Sequence, residues 1–239
     1  MKRREKYEAP ISIMLPKIDI HQSIVNEEKE SNSNNASIFV PMHYAKGYSY
    51  PLIVWLSGTN TKAREISRVM PGISLRNYFG VSPQLLVNSE SDLENNIFSG
   101  IAKVKKRYNI CDQRVFIAGC GVGGCQAISL GMKHPNAFAG VISLCGSVPR
   151  ANSILGSLRT SRKLPVFMAQ SRGDAFFSEE DLCNDLKLLH VGGFSVTARQ
   201  YPGETPINDQ MLHDLDVWIM EIINGFDMTK TDNVVSDRN

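Results

Sequence analysis

The stretch VFIAGCGVGGCQAISLGMKHPNAFAGVISLCG, Val115 to Gly146, decides the fold. Val115, Phe116, Ile117 and Ala118 form a short apolar run ended by Gly119, the pattern of a strand buried on both faces. Cys125 to Met132 has helical composition, and His134, Pro135 and Asn136 stop it. Ala139 to Leu144 reads as a second buried strand. Strand, glycine turn, helix and strand make the β–α–β unit of a parallel sheet. The turn then lies at the carboxyl end of a strand, where such sheets place their sites.

The rest of the chain agrees with that unit. From Pro51 the apolar run Leu52–Leu56 reads as a strand, then a turn at SGTN, then a helix from about Thr61 to Val69. Tyr78 to Val81 is a weaker strand. In SDLENNIFSGIAKVKKRYNI, Leu93, Ile97, Ile101 and Val104 recur at helical spacing, with Ser91 as a cap and basic residues in the last turns. Residues 147–163 are irregular and basic, where a lid loop would sit. Pro165–Ala169 is a strand, Glu179–Leu189 a helix, Ser195–Tyr201 a strand and Asp209–Ile223 a last amphipathic helix. Strands alternating with helices predict a three-layer α/β/α sandwich with a mostly parallel sheet. Lys17–Val25 and Ser37–Val40 are expected to pair as an antiparallel N-terminal edge. Residues 1–35 would then be a polar arm with a first edge strand, 36–225 the domain and 226–239 a flexible tail.

Composition narrows the function. A chain of 239 residues with 42% hydrophobic and 21% charged residues suits one soluble domain. A net charge of +2, with no basic stripe, gives no reason to expect nucleic acid. The five cysteines, Cys111, Cys120, Cys125, Cys145 and Cys183, are odd in number and lack CxxC spacing. They are expected to be small core residues in a reducing compartment, with Cys183 on the inward side of its helix. The charged N-terminus lacks the apolar stretch of a secretory signal, and no run would span a bilayer. A cytoplasmic location is therefore expected, with no metal and no cofactor.

Four stretches carry a resemblance: PLIVWLSG, VFIAGCGVGG with HPNAFAGVISLCG, PVFMAQSRGDAFFS, and VTARQYPGE. From Pro51 to about Ile223 the chain resembles the phospholipase/carboxylesterase group of α/β-hydrolases, small serine esterases and thioesterases. The resemblance implies the α/β-hydrolase fold and a Ser–Asp–His triad, each member following a successive strand. The serine would stand at the apex of a G-x-S-x-G elbow. Here the five residues are Gly119, Cys120, Gly121, Val122 and Gly123, so the nucleophile position falls on Gly121. Glycine has no side chain and forms no acyl-enzyme. Moving the apex to Cys120 would put Val122 where the tight turn needs a very small residue.

The resemblance places the triad acid at Asp174, either orienting a histidine or bonding its own turn backbone. The histidine position falls on Glu204 or Thr205, and neither replaces imidazole as a base near neutral pH. His21 and His43 precede the elbow, His134 and His190 end helices, and His213 shares a helix face with Asp209 and Asp216. The family's oxyanion hole uses backbone N–H groups, so it survives the loss of side chains. It is implied at Ser57, Gly58 and Thr59, where the family's usual His-Gly is Ser-Gly, and at Val122. Those donors could hold a small ester-like or anionic ligand. GCGVGG lacks the Lys-Ser/Thr ending of a phosphate loop and comes too late for a dinucleotide turn. These readings leave three functions open: a hydrolase-fold protein without hydrolase activity that binds or regulates, a carboxylic-ester or thioester hydrolase with a rearranged site using Asp174 or Cys120, or a structural or interaction role with residues 147–163 and the two tails as contact surfaces.

Overall fold

The computed structural model describes residues 36–57, 65–83, 89–150, 164–174, 177–204 and 207–235, with side chains to 225. Among them are seven strands: β1 Ser37–Phe39, β2 Tyr50–Leu56, β3 Phe79–Ser82, β4 Ile110–Cys120, β5 Gly140–Leu144, β6 Val166–Ser171 and β7 Val196–Tyr201. The helices are α1 Ile66–Ile73, α2 Glu90–Arg107, α3 Val122–Lys133, α4 Glu179–Val191 and α5 Asp209–Val235. The strands form one sheet in the order β1-β3-β2-β4-β5-β6-β7, parallel throughout except for β1 against β3.

Period-two alternation sorts the side chains into two cores. Leu52, Val54, Leu56, Val115 and Ile117 face α2, α3 and α4, where they meet Leu93, Ile97, Ile128 and Leu189. Ile53, Trp55, Phe116, Ala118 and Cys120 face α1 and α5, where they meet Val69, Met70, Leu215 and Trp218. The central strands are therefore apolar on both faces, which is why they read as unbroken hydrophobic runs. Trp218 of α5 packs its ring 5.5 Å from Phe167 and 6.3 Å from Phe116. Two tyrosines tie α5 down further. Tyr78 Oη donates to Asp216 Oδ1 at 2.6 Å, and Tyr201 Oη donates to Asp214 Oδ2 at 2.6 Å.

Several boundaries differ from the sequence reading. α1 runs to Ile73, past Pro71, because Met70 and Ile73 are buried and tertiary packing outweighs one lost backbone bond. The cap of α2 is Ser89, not Ser91: its side chain accepts the Asp92 N–H. Cys183 is exposed, because Asp185 and Leu189 set the inward face of α4. α5 stays helical to Val235, beyond the end of its core pattern. β1 forms the antiparallel edge by pairing with β3. The expected strand at Lys17–Val25, the polar arm, the start of the first helix and the loop at 151–163 lie outside the described residues.

Candidate functional site

The parallel register assembles the site at the carboxyl edge of the sheet. Leu56 lies opposite Gly119, so half-buried Ser57 leaves β2 beside Cys120. Cys120 in turn lies opposite Leu144, and Leu144 opposite Ala169. The ends of β2, β4, β5 and β6 therefore converge on the turn at Gly121.

That turn has the geometry of a nucleophile elbow. Gly121 has φ 58° and ψ −122°, strained for an L-residue, and joins β4 directly to α3. Its N–H donates to the Leu144 carbonyl at 2.8 Å, and its carbonyl accepts the Cys125 N–H at 3.1 Å. Close packing holds the flanks. A Cβ on Gly119 would overlap the Gly123 carbonyl, and one on Gly146 would stand 2.7 Å from the Gly121 oxygen. Ser143, fully buried, packs its Oγ against this first turn without a hydrogen-bond partner. Gly121 caps α3 with no side chain, so the N–H groups of Val122, Gly123 and Gly124 begin the helix without a side-chain cap. Val122 itself is 52% exposed. Such a terminus attracts carbonyl and anionic oxygens through its N–H groups and the helix dipole.

Asp174 lies just beyond β6, and its carboxylate accepts two hydrogen bonds. Oδ1 accepts the Phe177 N–H at 3.0 Å, and the buried Cys145 thiol donates to the same carboxyl group. Burial pushes the Cys145 thiol up to about 11, and Asp174 adds to the rise. Glu204 is exposed, in a turn zipped to the acid's loop by the Gly173 N–H on the Gly203 carbonyl at 2.9 Å. The two loops that would carry acid and base in a triad are thus neighbours. Gly58, Thr59 and Thr205 lie outside the described residues, as does His21.

Three of the other histidines stand away from the turn. His134 ends α3, about 18 Å from the elbow for a helix of this length, with Nε2 2.5 Å from Glu94 Oε1. His43 follows β1 at the opposite edge of the sheet, since β1 runs antiparallel. His190 ends α4 at that same edge. His213 is exposed one turn into α5. Cys120 is fully buried in the α1/α5 core. Among the described residues no cluster of His, Cys, Asp and Glu could hold a metal.

The sequence reading missed two residues of this neighbourhood. Cys145 as the partner of Asp174 left no sequence signal, because its thiol arrives from another strand. Asp185, 1% exposed on α4, did leave one: an acid between Leu182 and Leu189 on an apolar helix face.

Seven strands in this order, one antiparallel edge and a strained glycine turn between β4 and α3 define the class: the chain has the α/β-hydrolase fold. The solved structures it resembles include several esterases and an S-formylglutathione hydrolase. A thermostable esterase matches at 21% identity and TM-score 0.61 over 83% of this chain, which spans 61% of that protein's length. The S-formylglutathione hydrolase of Staphylococcus aureus matches at 11% identity and TM-score 0.61, covering 78% of this chain and 92% of that one. SOBER1 of Arabidopsis thaliana matches at 18% identity and TM-score 0.59, covering 73% and 100%. No family model and no curated relative matches the chain in sequence.

Proposed function

We propose that this protein is an esterase-like α/β-hydrolase-fold protein that has lost serine-hydrolase chemistry and keeps the elbow as a binding or regulatory site. One observation carries the reading: the apex of a fully formed elbow, at φ 58° and ψ −122°, is a glycine. With no hydroxyl there is no acyl-enzyme. His43, His134 and His190 stand away from the turn, no histidine occurs between Tyr201 and Asp209, and the Asp174 carboxylate accepts from Phe177 and Cys145. Removing triad members leaves at most about 10³–10⁴-fold over water, from donors and binding alone. The full burial of Cys120 weighs against a rearranged thiol nucleophile.

The ligand this reading favours is small and offers a carbonyl or carboxylate oxygen to the N–H groups at Val122–Gly124. Five cysteines with no disulfide among them suit a reducing compartment, and a cytoplasmic location is proposed on that ground. Among the described residues no helix is long and apolar enough to cross a membrane.

The test uses a fluorophosphonate probe with short acyl esters and thioesters, alongside melting curves in short-chain carboxylates. The expected result is no labelling, no turnover and a melting temperature raised by at least one carboxylate. Labelling, or turnover that Cys120→Ala abolishes, would sink the loss of chemistry. A melting temperature unmoved by every carboxylate would sink the oxygen-binding site.

A further inference from the structure

The chain leaving β5 is held at three successive points. The Ser147 N–H donates to Cys125 Sγ at 3.3 Å, and the Val148 N–H donates to Asp185 Oδ2 at 2.8 Å. Arg150 Nη2 stands 2.6 Å from Asp185 Oδ1, an ion pair. Asp185 is 1% exposed, whereas the Arg150 side chain is 51% exposed. A buried carboxylate is costly unless it is paired, and an apolar side chain would fill this face of α4 more cheaply. What the acid contributes is its hold on residues 148 and 150. Cys125, half-buried, lies one helical turn beyond Gly121, and its sulfur is the group that the Ser147 end of the segment covers.

We propose that Asp185 and Arg150 form a latch that seats residues 147–150 on α3 and α4, and so sets the access of small electrophiles to the Cys125 thiol beside the elbow. Arg150 touches no reacting atom. It is a positioning residue that acts through the three residues between it and the sulfur. The charged and titratable groups around Asp185 are Arg150, Asp181 on its own helix and Cys125 on α3. The latch does not depend on whether the elbow catalyses anything, and its test involves no turnover.

The experiment is native-state alkylation of the full chain with iodoacetamide, with the rate at each cysteine resolved by peptide mass spectrometry. Cys111 and Cys183 serve as internal references. Arg150→Ala and Asp185→Asn are each expected to speed modification of Cys125 by about fivefold, the scale of one partly exposed ion pair acting on a local opening. Rates at Cys111 and Cys183 should stay unchanged, and Arg150→Lys should restore the slow rate. The asparagine keeps an acceptor for Val148. If that variant fails to fold, Arg150→Ala alone decides, because its side chain is half outside the protein. An unchanged Cys125 rate in Arg150→Ala overturns the latch, as does an equal rise at Cys111, which would mean general loosening.

Discussion

Replacing Gly121 by alanine tests the elbow directly. At φ 58° and ψ −122° an L-residue is strained, at about 1–3 kcal/mol for a sparsely populated backbone region. The same change removes freedom from the unfolded chain, which returns about 0.4–1 kcal/mol. With the middle of each range the net expectation is a loss of about 1.3 kcal/mol, or roughly 3–5 °C in melting temperature for a domain of this size. Gly225→Ala is the control. Gly225 lies in α5 with open space where a Cβ would stand, so alanine there should be neutral or stabilising by up to about 1 kcal/mol. Thermal and urea unfolding of both variants measure the difference. Gly121→Ser should lose similar stability and still resist the fluorophosphonate, since the turn after β7, residues 202–208, holds no histidine to activate the hydroxyl. A Gly121→Ala protein as stable as the native one would refute the strained turn, and with it the elbow.

Two further substitutions probe what surrounds that turn. Gly119→Ala puts a methyl group into the Gly123 carbonyl, where only backbone can move, so it should cost well beyond Gly121→Ala and leave little folded protein in a solubility assay. Tyr78→Phe removes the hydroxyl that donates to Asp216, at about 1.5–3 kcal/mol for a bond to a charged acceptor. Burial, then Asp216, raises the Tyr78 hydroxyl above its ordinary 10.0. Its contribution to stability is therefore complete below pH 10.0 and lost as pH rises beyond it. The native protein should lose stability more steeply above that pH than Tyr78→Phe, as urea midpoints across the alkaline range would report. Equal slopes would contradict the assignment.

Most of the architecture was legible because its determinants are local. Leu52–Leu56 and Val115–Ala118 are apolar on both faces, as only central parallel strands need to be. Leu93, Ile97, Ile101 and Val104 repeat at the helical period. Element ends were less legible where competing signals sit close together. Ser89 and Ser91 both offer a hydroxyl near the start of α2, and only the three-dimensional turn selects Ser89. Pro71 argues locally for a stop that the burial of Met70 and Ile73 overrides.

The candidate site divides in the same way. That position 121 carries no nucleophile is a fact of covalent structure, readable from the chain alone, as is the Glu-Thr after the last turn. Only the tertiary structure decided that Gly121 holds the strained dihedrals of an elbow, because neighbouring strand ends and the packing of Gly119 and Gly146 impose them. The fold also sets Asp174 against Phe177 and Cys145, and turns Asp185 back to Arg150 and Val148. A side chain's type is written in the chain. Its partner is chosen by which strand and helix ends the fold brings within hydrogen-bonding distance.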